Sequence, residues 1–221
     1  MVRAFIQARM SSSRFPGKVL APLKGRPLLA HVMAQVTQAL PPDRIVVATS
    51  TESSDDPLAY YVQRLGISVF RGSLDNVVER FQGCLKEHPC TWFFRICADS
   101  PLLDASLLQA MLAYGDRRDV DLVTNVYPRT FPKGRSLEML YVPTFERLDP
   151  HRLSAEEREH GTKVYYDHPT DFRILNLQSA DPFLADTSLA IDTLEDLFRL
   201  EAFLQEGAPL TGTSPVGGKR P

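Results

Sequence analysis

The chain has few cysteines, no long apolar stretch and no marked excess of either charge. Its three cysteines, Cys84, Cys90 and Cys97, are an odd set without the close pairs of a zinc site. We therefore expect free thiols in a reducing compartment, which predicts a cytoplasmic protein. No apolar run approaches the length of a membrane span, and the first residues are too polar for a signal peptide. The sequence thus predicts no membrane association.

The charge balance argues against a nucleic-acid-binding protein. Twenty-five Lys and Arg face 27 Asp and Glu, giving a net charge of −2. This leaves no basic footprint for nucleic acid, so any affinity for phosphate must be local to one site. A chain of 221 residues can bury one sizeable core. We expect a single domain over residues 1–206, and a disordered tail over the Gly-, Pro-, Ser- and Thr-rich residues 207–221.

Short β-branched or apolar runs alternate with helical patterns over the first 125 residues. Strands are predicted at 2–6, 44–48, 68–70, 91–96 and 121–124, and helices at 27–40, 55–65, 74–88 and 104–114. This alternation is typical of an α/β fold with a parallel or mostly parallel sheet and helices on both faces. The later predictions are strands at 137–142, 172–177 and 189–191, and helices at 143–148, 154–166 and 193–205.

The loop QARMSSSRFPGK directly follows the first predicted strand. It places Arg9, Arg14 and Lys18 among three consecutive serines and a Pro-Gly turn. Guanidinium forks, a mobile ammonium and close backbone donors suit a polyanion such as a nucleoside triphosphate. The spacing differs from a P-loop, because no second glycine precedes a Gly-Lys-Ser/Thr ending. On charge alone, a solvated surface loop is the simpler interpretation.

Polar residues also follow the other early strands. Ligands of open α/β sheets bind at the carboxyl ends of strands. Residues 7–18, 49–51, 71–72 and 98–101 should therefore face one cleft. Asp99 at the fourth strand end could hold Mg²⁺ that also binds phosphates, or it could simply turn the chain into a helix. Asp192 likewise has two interpretations, as a metal ligand or as a helix N-cap.

Six motifs resemble those of the spore-coat polysaccharide cytidylyltransferase-like family, which belongs with the acylneuraminate and deoxy-octulosonate cytidylyltransferases. The resemblance covers residues 2 to about 203, and the motifs read IQARMSSSRFPGKVL, FRGSLDNVVERF, RICADSPLLD, TFPKGRSLEML, EREHGT and LAIDTLEDL. Four positions depart from the family pattern. Cys97 replaces a frequent threonine, and the other three are Ser136 for an acid, Gly161 for valine and Leu189 for arginine.

The resemblance implies a Rossmann-like nucleotide-diphospho-sugar transferase fold, with a mixed sheet and a possible homodimer contact. It implies Mg²⁺-dependent transfer of CMP from CTP to a sugar or sugar acid in surface glycan biosynthesis, with release of pyrophosphate. Arg14 and Lys18 would be catalytic residues on the β- and γ-phosphates, and Asp99 and Asp192 would bind the metal. Glu138 and Glu159 would orient the acceptor. The expected nucleotide-binding residues are Gln7, Ala8, Arg9, Ser12, Ser13, Thr49, Ser50, Arg71 and Arg80.

Other interpretations stay open. The same fold could use another nucleoside triphosphate or a non-sugar acceptor, because base choice depends mostly on backbone contacts. The departures at Ser136, Gly161 and Leu189 would instead favour a non-catalytic nucleotide-binding partner protein. His160 is either a structural residue or a general base, and helical Arg80 is either a surface ion-pair residue or a site residue.

Overall fold

The computed structural model describes residues 1–180 and 185–206. The tail predicted at 207–221 lies outside these residues. The strands are β1 (Val2–Gln7), β2 (Pro22–Leu23), β3 (Arg26–Pro27), β4 (Ile45–Ser50), β5 (Ser68–Gly72), β6 (Trp92–Cys97), β7 (Leu122–Thr124), β8 (Glu138–Tyr141) and β9 (Ile174–Asn176). The hairpin of β2 and β3 was not predicted, because two-residue strands leave no alternating pattern in the sequence.

The helices follow most of the predicted segments with trimmed ends. They are α1 (Leu28–Val36), α2 (Asp56–Arg64), α3 (Val77–Glu87), α4 (Ala105–Leu112), α5 (Val142–Phe145), α6 (Ala155–His160), α7 (Lys163–Asp167) and α8 (Leu194–Glu206). Gly66, at φ 72°, follows the end of α2 as expected for a glycine C-terminus. Within residues 1–180 and 185–206, no helix has the length and apolar character needed to cross a membrane.

Seven of these strands form one mixed sheet in the order β5-β4-β1-β6-β8-β7-β9. Strand β1 pairs in parallel with β4 and β6, and β4 pairs in parallel with β5. Strand β8 is antiparallel to both of its neighbours, whereas β7 and β9 are parallel to each other. The predicted mixed, mostly parallel α/β sheet is therefore confirmed. The carboxyl ends of β5, β4, β1 and β6 lie along one edge.

Two sequence predictions after residue 125 are wrong. The strand predicted at 189–191 is absent. This segment bonds instead to the loop around Lys133, through Lys133 N–H to Thr187 O and Leu189 N–H to Lys133 O, and to the turn after β6, through Ile191 N–H to Asp99 O at 2.9 Å. The single helix predicted at 154–166 is two helices. Gly161 (φ 68°, ψ −39°) separates them in a γ-turn, in which Thr162 N–H donates to His160 O at 2.7 Å.

Alternating strand residues build a core on each face of the sheet. From β6, Trp92, Phe94 and Ile96 pack on one face with α1, α2 and α4. Phe93 points to the other face, where it stacks on Phe5 at a centroid distance of 5.0 Å and packs with α3, α5 and α7. Helices therefore cover both faces, as the alternation predicted.

A third, smaller cluster fixes the segment before α8. It consists of Leu23, Leu28, Leu189, Ile191, Leu197 and Leu200, all buried. Leu189, where the related family has arginine, is thus a packing residue with 4% exposure. The cluster joins the β2–β3 hairpin to α8 and so places Asp192 opposite the loop that follows β1.

Candidate active site

The loop after β1 is anchored by a buried carboxylate. Asp55, fully buried, accepts a hydrogen bond from Met10 N–H at 2.7 Å. Ala8 N–H donates to Ala48 O at 3.2 Å, and Gly17 N–H donates to Met10 O at 2.7 Å. Gly17 has φ 75°, a value that favours glycine, so the Pro-Gly turn closes the loop without strain. These bonds fix the polar loop at the carboxyl edge of the sheet.

Asp55 also determines where two predicted nucleotide-binding residues point. Thr49 Oγ1 donates to it at 2.8 Å, and both the N–H and the hydroxyl of Ser50 donate to the same carboxylate. Thr49 and Ser50 are fully buried and line neither of the cavities described below. Burial by itself raises the pKa of Asp55, but these hydrogen bonds outweigh it and leave the pKa lowered. The structure thus gives both side chains a structural partner in place of the predicted ligand.

Lys18 lies between the two predicted metal-binding carboxylates. Its Nζ donates at 3.0 Å to Asp99 Oδ2, at 3.0 Å to Asp192 Oδ1 and at 3.0 Å to Ile191 O. Arg14 Nη2 also pairs with Asp192 Oδ1 at 2.9 Å. Burial lowers the pKa of Lys18, but attraction to Asp99 and Asp192 outweighs that effect, so its pKa is raised. Four charges from distant parts of the chain thus meet at one point.

Asp192 does not cap a helix, which was its alternative interpretation, whereas Asp99 lies in the turn that follows β6 and caps no helix either. The N-cap of α4 is Asp104, whose carboxylate accepts from Ser106 N–H and Leu107 N–H. At α8, Thr193 Oγ1 accepts from Asp196 N–H at 3.2 Å while Asp196 accepts from Thr193 N–H at 2.9 Å, a reciprocal cap. Asp99 and Asp192 are thus left facing Lys18.

A cavity of about 310 Å³ opens beside this charge cluster, and we name it the donor cavity. Most of the predicted site residues line it: Gln7, Ala8, Arg9, Ser12, Ser13, Arg14, Lys18, Arg80, Asp99, Glu159 and Asp192. Arg71 does not, because its Nε donates to Ser50 O and its Nη2 to Glu52 O, both at 2.8 Å. Glu159, predicted as an acceptor residue, lies in this cavity and pairs with Arg9 at 3.0 Å.

Arg80 is a buried cation at the side of the donor cavity. Its exposure is 3%, its Nη1 donates to the carbonyls of Ser73 and Leu74, and its Nε has no partner among the described residues. Burial, together with repulsion from Arg9 and Arg95, lowers its pKa to about 10. The interpretation of Arg80 as an exposed helical ion-pair residue is therefore wrong.

A second cavity, of about 460 Å³, adjoins the first, and we name it the acceptor cavity. Glu138 lies in its wall, where its carboxylate accepts from Arg95 Nη1 at 2.8 Å and from Tyr166 OH at 2.7 Å. Burial by itself lowers the pKa of Arg95, but its acidic neighbours Cys97 and Glu138 raise it overall. Arg95 Nε donates in turn to Gln7 Oε1 at 3.1 Å. The charge within β6 thus pairs with an acid.

The two cavities share part of their lining. Arg95, Cys97, Asp99 and His160 line both of them. Asp99, which accepts a hydrogen bond from Lys18, therefore lies where a ligand in one cavity would meet a ligand in the other.

Asp99 and Asp192 fit a divalent cation that is completed by phosphate oxygens. Their carboxylates converge on a single cationic group, Lys18, which shows that the local field favours positive charge there. Within residues 1–180 and 185–206, no group of three or more His, Cys, Asp or Glu side chains could hold a metal. Two carboxylates without a third match the preference of Mg²⁺ for one or two carboxylates, substrate phosphates and water.

Comparison with known proteins decides the family. A family described as cytidylyltransferase matches residues 4–168 of the chain. The protein belongs to the cytidylyltransferase family. A spore coat polysaccharide biosynthesis protein, SpsF of Bacillus subtilis, is 33% identical over 211 residues, which cover 91% of this chain and 85% of that protein.

Two further cytidylyltransferases match nearly the whole chain. The 3-deoxy-manno-octulosonate cytidylyltransferase of Agrobacterium fabrum is 26% identical over 230 residues, covering 98% of this chain and 89% of its own. The structure of a cytidylyltransferase from Leptospira borgpetersenii superposes with a TM-score of 0.86 at 27% identity, covering 96% of this chain and 90% of that one. The family identified from the sequence motifs is thus confirmed.

Sequence reasoning missed three residues of this cytidylyltransferase site. Asp55 gives only a helix-start signal in the sequence, and its role as an anchor depends on a contact with Met10 across 45 residues. Tyr166 follows a helical pattern that hides its bond to Glu138. Arg129 donates to Ser136 Oγ at 2.9 Å in the acceptor cavity, and its Pro-rich loop gave no periodic signal.

Proposed function

We propose that this cytidylyltransferase transfers CMP from CTP to a hydroxyl of a sugar or sugar-acid acceptor and releases pyrophosphate. The observation that supports this most directly is that Asp99, bonded to Lys18 beside Asp192, lines both cavities. A nucleotidyl transfer needs the α-phosphate of one ligand to meet the hydroxyl of another. A shared wall between two cavities provides that arrangement.

The donor cavity would hold the triphosphate through its cations. Arg14 and Lys18 are placed to contact the β- and γ-phosphates once these anions replace the carboxylates as partners. Both already pair with Asp192, so their charges point into the same space. As pyrophosphate leaves, its growing negative charge would meet positioned cations, which is the usual source of rate in phosphoryl and nucleotidyl transfer.

Mg²⁺, when bound by Asp99 and Asp192, would supply the positive charge that neutralises the triphosphate. Lys18 holds the same carboxylates in the structure and would move to the phosphates when the metal takes them. The other predicted nucleotide-binding residues that line the donor cavity would complete the nucleotide contacts: Gln7, Ala8, Arg9, Ser12, Ser13 and Arg80.

The acceptor cavity favours an anionic sugar. Among the described residues, the one side-chain partner of Arg129 is the neutral hydroxyl of Ser136, and the related family has an acid at position 136. Lys133 also lines the cavity, whereas Lys163 in the same wall is already paired with Asp167 at 2.8 Å. A carboxylate on the acceptor would compensate this positive charge. Glu138 would act on the acceptor indirectly, because Arg95 and Tyr166 occupy its oxygens.

A thermal-shift panel tests the donor. We expect CTP with Mg²⁺ to raise the melting temperature more than ATP, GTP or UTP, because binding to the native state stabilises it. A larger shift with another triphosphate would contradict the choice of CTP, and no shift with any nucleotide would favour a non-catalytic protein. Pyrophosphate release should then be measured with 3-deoxy-manno-octulosonate and with neutral hexoses. The homodimer, the cytoplasmic location and the single domain over residues 1–206 stay predictions from the sequence.

A further inference from the structure

His160 is placed where the two substrates of the proposed reaction would meet. It is the last residue of α6 and lines both the donor and the acceptor cavity. The γ-turn at Gly161 ends the helix directly after it, so the imidazole stands at the helix end rather than along its packed face. In the part of the chain that the structure describes, the imidazole has no hydrogen-bond or ion-pair partner. A structural role is therefore not visible in its contacts.

The other three residues that line both cavities are poor proton acceptors near neutral pH. Arg95 is a guanidinium, which does not release its proton in proteins, and it is paired with Glu138. Burial raises the pKa of the Cys97 thiol to about 11, so the thiol keeps its proton. Asp99 is occupied by Lys18 and by the Ser100 hydroxyl, and as a carboxylate it is a weak base. Histidine is the residue type that exchanges a proton in this range.

We propose that His160 accepts the proton of the acceptor hydroxyl as that oxygen attacks the α-phosphate of CTP. The new bond joins the acceptor oxygen to the α-phosphorus, and the bond from the α-phosphorus to the bridging oxygen breaks. Pyrophosphate leaves with that electron pair. The imidazolium then returns its proton to water, which the exposed position of His160 permits. This inference rests on the proposed transfer of CMP and adds the group that activates the acceptor.

The charged groups around His160 are mainly cationic on the donor side. With it in the donor cavity are Arg9, Arg14, Lys18, Arg80, Glu159 and Asp192. Of the two acids in this set, Glu159 is paired with Arg9 and Asp192 with Lys18 and Arg14. No unpaired carboxylate of this set is therefore left to hold a proton on the imidazole.

The charged groups on the acceptor side are also mainly cationic. The titratable groups that line the acceptor cavity with His160 are Tyr127, Arg129, Lys133, Glu138, Lys163 and Tyr166. Glu138 is held by Arg95 and Tyr166, and burial next to Glu138 raises the pKa of Tyr166, so that phenol keeps its proton. Among these residues, the acceptor side thus offers the imidazole no carboxylate without a partner.

The test compares His160→Gln with the wild-type protein and with His151→Gln. His151 is an exposed histidine outside both cavities and serves as the matched control. Pyrophosphate release is measured from pH 5 to 9 at saturating CTP and Mg²⁺, with whichever tested sugar or sugar acid is turned over fastest. We expect His160→Gln to lower kcat about 100-fold and to remove the fall in kcat at acidic pH, while the control keeps both. Isothermal titration should show CTP affinity within about twofold of wild type.

A second variant separates chemistry from structure. His160→Ala leaves space at an exposed position, so we expect added imidazole to restore part of its rate in proportion to the unprotonated imidazole present. A His160→Gln protein with wild-type kcat, or with the acidic fall in kcat retained, would overturn the inference and leave the proposed function standing. A tenfold loss of CTP affinity with an unchanged pH profile would overturn it too, by making His160 a donor-binding residue. No turnover of any acceptor would overturn the proposed function and this inference together.

Discussion

Two pairs of aspartates behave differently in this cytidylyltransferase. Asp55 and Asp121 are 0% and 4% exposed, and their carboxylate oxygens accept hydrogen bonds from neighbouring elements. The side chains of Asp99 and Asp192 are 27% and 37% exposed and share one ammonium at the edge of a cavity. The first pair joins parts of the fold, whereas the second faces a partner that a ligand could replace.

The two pairs of aspartates differ in the residues that donate hydrogen bonds to their carboxylates. Asp121 takes hydrogen bonds from Thr144 Oγ1 at 2.6 Å and from the backbone and side chain of Arg173, each at 2.9 Å, so it ties β7 to α5 and β9. Asp99 and Asp192 instead share the Lys18 ammonium, and their other side-chain partners are the Ser100 hydroxyl for Asp99 and the Arg14 guanidinium for Asp192. A carboxylate whose oxygens all have hydrogen-bond donors from the fold is therefore structural here. A carboxylate held by a cation that a ligand could replace is instead a candidate for binding metal and phosphate.

The largest expected effect comes from Asp99→Asn. We expect pyrophosphate release to fall about 10³-fold, because the metal and the developing charge on the phosphates lose a ligand, while the melting temperature changes little. Steady-state assays at saturating CTP and Mg²⁺, with thermal unfolding of the same sample, measure both. The matched change Asp55→Asn should do the reverse and lower stability strongly, because it weakens an anchor with several buried donors. Full activity in Asp99→Asn would exclude Asp99 from the mechanism.

The next effect comes from Lys18→Met, which removes the shared cation. We expect transfer to fall about 10²-fold, since Lys18 no longer reaches the phosphates. Mn²⁺ alone, without nucleotide, should bind about tenfold more tightly, because the two carboxylates lose the ammonium between them and only Arg14 still pairs with Asp192. Electron paramagnetic resonance of free Mn²⁺ measures this binding independently of activity. Lys86→Met, on the exposed side of α3, is the control. Equal Mn²⁺ affinity in both variants would contradict the proposal that the metal replaces the Lys18 ammonium between the two carboxylates.

The sequence predicted the carboxyl edge of the sheet well, because that part follows local rules. Strands β1, β4, β5 and β6 each show as short apolar runs, and the strand-end rule then placed Gln7 to Lys18 and Asp99 together. The metal interpretation of Asp192 needed a motif resemblance, since Thr193 and Asp192 are equally good N-cap residues on paper. Only the contact with Lys18, across 174 positions, separates them.

The acceptor side was predicted less well, because its structure depends on long-range contacts. Gly134, at φ 92°, crosses the segment at 189–190 so closely that a Cβ would lie 2.6 Å from Ala190 N. That crossing prevents a regular strand there, and no pattern within 189–191 reveals it. Thr49, Ser50 and Arg71 were placed at the correct edge, but their side chains turn to Asp55 and to backbone carbonyls. The strand-end rule gives position along the sheet and not side-chain direction.

A smaller effect tests the structural pair through pH. The hydrogen bonds from Arg173, reinforced by Thr144, lower the pKa of Asp121 from 3.8 to about 2. A carboxyl group with a lowered folded-state pKa stabilises the fold above its unfolded pKa and loses that effect as the pH falls. We therefore expect about 2 kcal/mol of stability from this group at neutral pH, lost between about pH 4 and pH 2. Urea unfolding of Asp121→Asn at pH 7 and pH 3 should show a difference from wild type that shrinks in acid. A constant difference would contradict the assignment.

The smallest expected effect concerns cations. It tests whether a cation with a full set of partners is structural, as proposed above for the aspartates. Arg71 was predicted to bind nucleotide, but its guanidinium is saturated by Ser50 O, Glu52 O and Asp56, whereas Arg80 keeps an unpartnered Nε beside the donor cavity. Arg71→Met should therefore change CTP affinity by less than about twofold and lower stability by about 1 kcal/mol. Arg80→Met should weaken CTP binding about tenfold, because a buried cation next to the ligand is lost. Isothermal titration of both variants decides the matter. A tenfold loss in Arg71→Met would show that a full set of partners does not distinguish structural charges from ligand-binding ones, and the contrast between the two pairs of aspartates would lose its basis.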